Sequence, residues 1–137
     1  MSNEGQPTRR VGAQGSNISV PSTGSARRIE LVALLARKPG MSREDFHRHW
    51  RERHGPLVVE TLGHHLAGYE QHHRLAADEG HDEEWDGVAI QRFASQEAFQ
   101  AFMADPAFAE KVVPDQDAFI DMARVVWFLS EPAEVLV

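Results

Sequence analysis

Two short stretches of the chain are apolar at almost every position, and they restrict the folds that can accommodate them. Residues 29–36 read IELVALLA and residues 122–130 read MARVVWFLS. Both are far shorter than a membrane-spanning helix of about 20 residues, and they predict strands that are covered on both faces of a sheet. We therefore expect helices on one face of this sheet and a second copy of the chain on the other.

The order of the remaining elements predicts the topology of that sheet. Residues 65–75 and 87–93 predict two more strands, and Ser42 and Ser95 are good N-caps for the helices that follow the first and third strands. The resulting order, β-α-β-β-α-β, is typical of the α+β, ferredoxin-like fold with a four-stranded antiparallel sheet. Two such sheets that pack face to face in a homodimer would enclose a cavity for a small molecule.

The first helix carries the most unusual feature of the chain, a histidine next to a Gly-Pro pair. Ser42 begins this helix, and the Gly55-Pro56 pair predicts that it ends there, with a second helical segment over residues 56–62. Pro114 likewise predicts the end of a later helix. His54 would then stand at a helix break. Its imidazole either faces a ligand pocket as an acid or base, or caps the last carbonyls of the helix.

A row of polar side chains lies on one face of the second predicted strand. Tyr69, Gln71 and His73 alternate along it. An ordinary core would not favour such a row, so this face either meets water or lines a pocket with a few placed hydrogen-bonding groups. Gln91 and Arg92 on the third strand raise the same two alternatives.

Length and composition exclude several classes of function. The 137 residues correspond to one domain, and residues 1–27, rich in Gly, Ser, Pro, Asn and Gln, predict a disordered leader before a folded domain over residues 28–137. The formal net charge of −7 argues against nucleic acid as a main partner. The absence of cysteine excludes disulfides and thiolate chemistry, and no apolar run is long enough for a membrane span. We therefore expect a cytoplasmic protein.

The eight histidines raise the question of a metal site. His47 and His49 diverge around a helix, whereas His47 and His54 lie about 10 Å apart along its axis. The adjacent pairs 64–65 and 72–73 would point to opposite faces of a strand. No metal site is therefore predicted, and no cofactor is expected; haem held by one histidine is the remaining alternative.

Four segments of the chain resemble the EthD domain family. The first, over residues 38–57, reads Lys-Pro-Gly-Met-Ser, then Phe46 and Trp50, and ends in His-Gly-Pro-Leu. The others are Gly68-Tyr69 with Gln71, His73 and Leu75; residues 85–89 (Trp-Asp-Gly-Val-Ala) with Phe93; and Asp115 with residues 119–121 (Phe-Ile-Asp). The resemblance extends over residues 29–135 and leaves the leader outside.

The resemblance implies a dimeric α/β barrel built from ferredoxin-like protomers. Relatives of this architecture include muconolactone isomerase, polyketide cyclases, cofactor-free monooxygenases and haem-degrading enzymes, so the family predicts the fold better than the reaction. Its matched positions favour a functional role for His54, followed by Tyr69 and His73. The family often has an acid in the third strand, whereas this chain has Ile90 and Arg92 there, which weakens any mechanism that requires that acid.

From these observations we predict a cofactor-independent enzyme that acts on a hydrophobic, oxygenated small molecule in catabolism or polyketide-type biosynthesis. Its reaction would be a decarboxylation, dehydration or isomerisation that depends on proton transfer. The alternatives are cofactor-free monooxygenation and a non-catalytic role, in which the protein holds a small molecule for an oxygenase system. The predicted catalytic residues are His54, Tyr69 and His73, and the predicted substrate-binding residues are Trp50, Leu57, Gln71, Arg92 and Phe93.

Overall fold

The computed structural model describes residues 27–80 and 83–137, and within them four strands form one antiparallel sheet in the order β2-β3-β1-β4. The strands are β1 (Ile29–Leu35), β2 (Gly68–His73), β3 (Gly87–Phe93) and β4 (Val126–Ser130). With the helices between them they follow the predicted β-α-β-β-α-β order, which confirms the α+β, ferredoxin-like fold. The predicted disordered leader lies, apart from residue 27, outside the described residues.

Two helical segments connect the strands, and each contains a widened, π-helical turn. The first comprises α1 (Arg43–His49), a π turn (Trp50–His54), α2 (Gly55–Leu62) and a 3₁₀ turn (Gly63–His65). The second comprises α3 (Gln96–Ala104), a π turn (Phe108–Val112) and α4 (Val113–Phe119). Both segments begin at the predicted N-caps, because the side chains of Ser42 and Ser95 accept backbone hydrogen bonds. None of the described helices is long and apolar enough to cross a membrane.

The prediction that Pro56 and Pro114 end their helices is wrong. Each proline lies just after a π turn, near the start of a helix that continues past it. In the first segment the N–H of Gly55 bonds to the carbonyl of Trp50, five residues earlier. The wider turn accommodates a proline ring that would clash with a carbonyl in the interior of a regular α-helix. His54 therefore lies within a continuous helix, and its side chain makes no cap hydrogen bond.

The helices pack on one face of the sheet and form a core rich in aromatic rings. One buried cluster contains Phe46, Trp50 and Phe119, and the other contains Phe93, Phe99 and Phe102. Burial of each such side chain stabilises the fold by about 1.5–3 kcal/mol. Trp50 fits against the sheet only because β3 has a glycine there: a Cβ at Gly87 would lie 2.5 Å from the indole ring.

No described helix covers the opposite face of the sheet. Side chains that alternate with the buried ones form this open face, and its apolar members are Val32, Leu34, Val88, Ile90, Val126 and Phe128. Val126 is 45% exposed and Phe128 is 49% exposed. The expectation that the helices cover only one face is therefore confirmed for the described residues.

Strand β4 begins at Val126, later than predicted. The side chain of Asp121 accepts a hydrogen bond from the N–H of Ala123 at 3.2 Å, and its carbonyl accepts one from the N–H of Arg124 at 3.0 Å. These local bonds hold the residues after Asp121 in a turn, so they do not join the hydrogen-bonded ladder of the sheet. Strand β2 is also shorter than predicted, because the residues before it form the 3₁₀ turn Gly63–His65.

Candidate functional site

The polar row on β2 points toward the helices, so it lies on the opposite side of the sheet from the open face. Tyr69 packs against the aromatic core, and the Gln71 side chain donates a hydrogen bond to the carbonyl of Trp50 at 2.9 Å. Because side chains alternate along a strand, Glu70 and His72 occupy the open face instead. Any site that uses this row lies between the sheet and the helices of one protomer.

A chain of hydrogen bonds runs from the helix backbone through Gln71 and His73 to His47. A carbonyl can only accept, so the Gln71 amide donates to Trp50 and presents its oxygen to Nε2 of His73, 2.8 Å away. His73 therefore has its proton on Nε2 and accepts at Nδ1, which lies 2.6 Å from Nδ1 of His47. The hydrogen bond between the two rings must therefore be donated by Nδ1 of His47. In neutral His47 this leaves Nε2 without a proton.

Burial keeps both imidazoles of this pair neutral. It is the main reason that the pKa of His73 falls to about 4, and the positive charge of Arg51 contributes in the same direction. Burial also lowers the pKa of His47, although the carboxylate of Asp86 acts in the opposite direction. At neutral pH the pair is therefore a neutral donor–acceptor unit, and His47 presents a basic nitrogen without a charge.

His54 belongs to a second hydrogen-bonded group, which it forms with α4. Its Nδ1 lies 2.8 Å from Oδ2 of Asp115, and Nε2 of His49 lies 3.0 Å from Oδ1 of the same carboxylate. The carboxylate accepts from both rings, so neutral His54 has its proton on Nδ1 and a lone pair on Nε2. Within residues 27–80 and 83–137, no group hydrogen-bonds to this Nε2.

The surroundings of His54 favour its neutral form. Only 6% of the residue is exposed, and its ring centroid lies 4.9 Å from that of Phe119. Burial lowers the pKa of His54, and the hydrogen bond and negative charge of Asp115 offset part of this effect. A neutral imidazole that is oriented by a carboxylate and bordered by an apolar ring has the properties of a general base. The helix-cap alternative is excluded, because the ring bonds to a carboxylate and not to terminal carbonyls.

Sequence reasoning did not assign a role to Asp115 or to the His47–His73 pair. Asp115 follows Pro114, where the helix was predicted to end, and it lies 61 residues from His54. His47 was considered only as a metal ligand, and its partner is 26 residues away on β2. Only the packing of helices on the sheet brings these groups together, so a single sequence carries no local signal for them.

The remaining predicted site residues are distributed over the molecule. The Tyr69 hydroxyl lies 3.3 Å from Nε2 of Gln71 and so joins the first group, and burial raises the pKa of Tyr69. Leu57 is half-buried on α2. Arg92 forms ion pairs with Glu residues on the open face, and Phe93 is completely buried in the core. Arg92 and Phe93 therefore lie in neither histidine group.

A third group contains His64, His65 and Asp105, and it contradicts the prediction that adjacent histidines point apart. The two histidines lie in a 3₁₀ turn and not in a strand, so their directions differ by about 120° instead of 180°. Their ring centroids are 4.0 Å apart. Among the described residues, this is the one set of three potential metal ligands whose ligand atoms all lie within 4.8 Å of one another.

Comparisons with known proteins agree with this architecture. The EthD domain model matches residues 38–123. An EthD-like protein from Ralstonia eutropha is similar in structure, with a TM-score of 0.60 and 22% identity over 79% of this chain and 94% of that one. An EthD family protein from Bacillus halodurans has a TM-score of 0.59 and 17% identity, over 77% of this chain and 99% of that one. Comparison with curated protein sequences gives no match.

A dimeric protein of unknown function from Bacteroides fragilis, with a ferredoxin-like fold, has a TM-score of 0.56 and 8% identity over 76% of this chain and 95% of that one. At such identities the structural matches show the fold alone. The family model is more informative, because it covers more than half of the 137 residues and includes both His54 and Asp115. The chain therefore belongs to the EthD domain family.

Proposed function

We propose that the protein is an enzyme that transfers a proton on a hydrophobic, oxygenated small molecule without a cofactor. The observation that carries this proposal is the bond between His54 and Asp115, which leaves an uncharged Nε2 beside an apolar ring. Dehydration and isomerisation need little more than such a base, and decarboxylation needs its conjugate acid, which protonates the enolate that remains when CO2 departs. Molecules of this kind occur in catabolism and in polyketide-type biosynthesis.

In the proposed step, Nε2 of His54 removes a proton from a carbon next to a carbonyl group. The electron pair of the broken C–H bond moves into the carbonyl, which becomes an enolate, and the Asp115 carboxylate stabilises the imidazolium. In an isomerisation the imidazolium then returns the proton to another carbon. In a dehydration the enolate electrons re-form the carbonyl and a new C=C bond while the C–O bond on the neighbouring carbon breaks, and the imidazolium protonates the departing hydroxyl group to water. No oxidant or reductant is needed for either outcome.

Tyr69 is the proposed donor to the enolate oxygen. Burial raises its pKa, so the hydroxyl stays protonated at neutral pH and can donate a hydrogen bond to a developing negative charge. This row lies beside the turn that carries His54. The contact is close, because a Cβ on Gly55 would lie only 2.7 Å from Nε2 of Gln71. His73 acts as a positioning residue, since both of its ring nitrogens are engaged by Gln71 and His47.

Deuterium exchange into ethyl benzoylacetate, a hydrophobic β-keto ester, tests this proposal. In heavy water the wild-type protein is expected to accelerate the loss of the methylene proton signal in NMR spectra. His54→Gln should reduce that acceleration at least about 100-fold. His64→Gln changes an exposed histidine outside both hydrogen-bonded groups and the open face, and serves as the matched control. Exchange that is no faster with the wild-type protein than with His54→Gln would overturn the assignment.

We also propose that the protein is a homodimer in which the open faces of two sheets meet, as in a dimeric α/β barrel. Support comes from the apolar side chains on this face, of which Val126 and Phe128 are about half exposed in one protomer. The similar protein from Bacteroides fragilis is described as dimeric. In this arrangement each protomer keeps its own His54 group, on the helix side of its sheet.

Binding without turnover is the second candidate function. The observation that favours it is the third strand, which offers Ile90 and Arg92 where the family often has an acid, and whose Arg92 is engaged by Glu30 and Glu70. This alternative predicts saturable binding of ethyl benzoylacetate by the wild-type protein with no exchange above the buffer rate. Cofactor-free monooxygenation instead predicts oxygen consumption when the protein is mixed with an electron-rich hydroquinone.

A further inference from the structure

We propose that Nε2 of His64, Nε2 of His65 and Oδ2 of Asp105 bind one divalent transition-metal ion, with Zn²⁺ the best match to this ligand set. These residues join the 3₁₀ turn after α2 to the end of α3. They take no part in the hydrogen-bonded groups of His54 and His73. The site would therefore add a second property to the protein, independent of proton transfer.

The ligand atoms lie close to the spacing that a tetrahedral ion requires. With metal–ligand distances of about 2.0–2.1 Å, two ligands of a tetrahedral zinc ion lie about 3.4 Å apart. Nε2 of His64 lies 3.6 Å from Oδ2 of Asp105, and Nε2 of His65 lies 2.9 Å from it. All three ligand atoms lie within 4.8 Å of one another, so small rotations of the side chains suffice to bring them onto one ion.

The backbone holds the carboxylate of Asp105 in the required orientation. The N–H of Asp105 makes the last helical bond of α3, to the carbonyl of Ala101 at 3.0 Å, and the backbone of Asp105 is extended. Oδ1 accepts a hydrogen bond from the N–H of Ala107 at 2.9 Å. Because Oδ1 is held in this way, Oδ2 faces the two histidines as a single ligand atom. Such hydrogen bonds to the second oxygen of a carboxylate are a regular feature of metal sites.

The two histidines supply one fixed ligand and one accessible ligand. The 3₁₀ turn is closed by a bond of 3.0 Å from the N–H of Leu66 to the carbonyl of Gly63. The side chain of His65 is 17% exposed, and its ring forms a T-shaped pair with that of Phe102, with centroids 6.5 Å apart. The side chain of His64 is 65% exposed. An ion can therefore enter from the solvent, and a water molecule can occupy the fourth position.

The chemistry of the ligands selects the class of ion. Two imidazole nitrogens and one carboxylate oxygen suit Zn²⁺ and its neighbours in the first transition series, whereas Mg²⁺ and Ca²⁺ prefer oxygen ligands throughout. The net charge of −7 also favours cations near the surface. Because the ligands come from two separate helical segments, a bound ion would cross-link them and raise the melting temperature of the protein.

Titration of the full chain, without a histidine tag, with Co²⁺ tests the site. The wild-type protein is expected to bind one ion per chain, with the visible absorption bands of four-coordinate Co²⁺, and Zn²⁺ should displace it. His64→Gln and Asp105→Asn should each weaken Co²⁺ binding at least about tenfold. His64 is largely exposed, and Asn at position 105 keeps an oxygen for the N–H of Ala107, so both variants should melt like the wild-type protein in the absence of metal.

His72→Gln provides the control for adventitious binding. His72 is also exposed, lies next to another histidine and contacts the carboxylate of Glu70, yet it is not part of the proposed site. This variant should bind Co²⁺ as the wild-type protein does. The proposal is overturned if the wild-type protein binds no ion at a one-to-one ratio, if His64→Gln binds with unchanged affinity, or if His72→Gln weakens binding as much as His64→Gln does.

Discussion

The Nδ1 atoms of His47 and His73 lie 2.6 Å apart, a distance at which only one of the two nitrogens can carry a proton. If both rings were protonated, two N–H groups would point at each other. The pair therefore cannot become doubly charged while this contact persists. Strand β2 lies at the edge of the sheet, so this contact between its last residue and α1 helps to hold that edge against the helix.

We predict that the protein loses stability as the pH is lowered from about 6.5 to about 4. The pKa of His73 is about 4 in the folded chain, against an ordinary value of 6.5. Between these pH values the unfolded chain binds more protons than the folded chain, so protonation shifts the equilibrium toward the unfolded state. Above this window the contribution of His73 to stability is complete. The midpoint of urea unfolding, measured at several pH values across the window, checks this prediction.

Two variants separate the contribution of His73 from general effects of acid. His73→Phe should lower the stability at neutral pH but reduce its dependence on pH, since no buried imidazole remains to be protonated at that position. His72→Gln, on the opposite face of the same strand, should retain the dependence of the wild-type protein. Identical pH dependence in His73→Phe and the wild-type protein would contradict the prediction.

Gly87→Ala should lower the free energy of unfolding by about 1–3 kcal/mol, because it overpacks the core. The new Cβ would lie 2.5 Å from the carbonyl oxygen of His72 and 2.5 Å from the ring of Trp50. Both neighbours are held in place, one by the sheet and one by the core. Gly63→Ala is the matched control, since its Cβ would meet nothing closer than 3.5 Å. Chemical denaturation should find this control as stable as the wild-type protein.

Phe128→Arg should convert the proposed homodimer to a monomer, since it places a charge among the apolar side chains of the open face, on the edge strand β4. Phe128 is 49% exposed in one protomer, and a dimer would bury it. Val59→Arg is the control, because Val59 is a comparably exposed apolar residue on the helix side, at 56%. Light scattering after size-exclusion chromatography measures the mass. A wild-type monomer, or a Phe128→Arg dimer, would show that this face is not the interface.

Asp115→Asn should lower the pKa of His54 further and slow the proposed exchange reaction at least about tenfold. The sign follows from the contacts, since the hydrogen bond and the charge of Asp115 both raise the pKa of His54 against the effect of burial. NMR titration of the histidine side chains measures the pKa directly. Asp117→Asn removes an exposed carboxylate from the same helix as a control. An unchanged or raised pKa of His54 in Asp115→Asn would argue against the pairing.

The fold was accessible from the sequence because its signals are local. Ser42 and Ser95 begin their helices through bonds to N–H groups three residues away, and strand β3 has the predicted bounds Gly87–Phe93. An N-cap or an apolar run acts over a few residues, so one sequence contains all the information that is needed. The order of strands and helices then restricts the topology to few alternatives.

The candidate site was less accessible because it depends on side-chain directions set by packing. Alternation along β2 predicts that Tyr69 and His73 share a face, but not which face the helices cover. The partners of His54 and His47 come from distant segments of the chain. His64 and His65 were predicted to lie in a strand, but they lie in a 3₁₀ turn, which brings their side chains together. A register or turn that is wrong by one residue redirects every functional group it carries.

The π turn at Trp50–His54 has a consequence for the direction of the two helical histidines. In an uninterrupted α-helix, residues seven apart point in nearly the same direction, so His47 and His54 would compete for one environment. One additional residue in a turn corresponds to about 100° of rotation. Here His47 contacts β2 and His54 contacts α4. The widened turn thus points the two histidines in different directions, so that each has its own partner. Deletion of a single residue from this turn would direct both side chains toward the same neighbour.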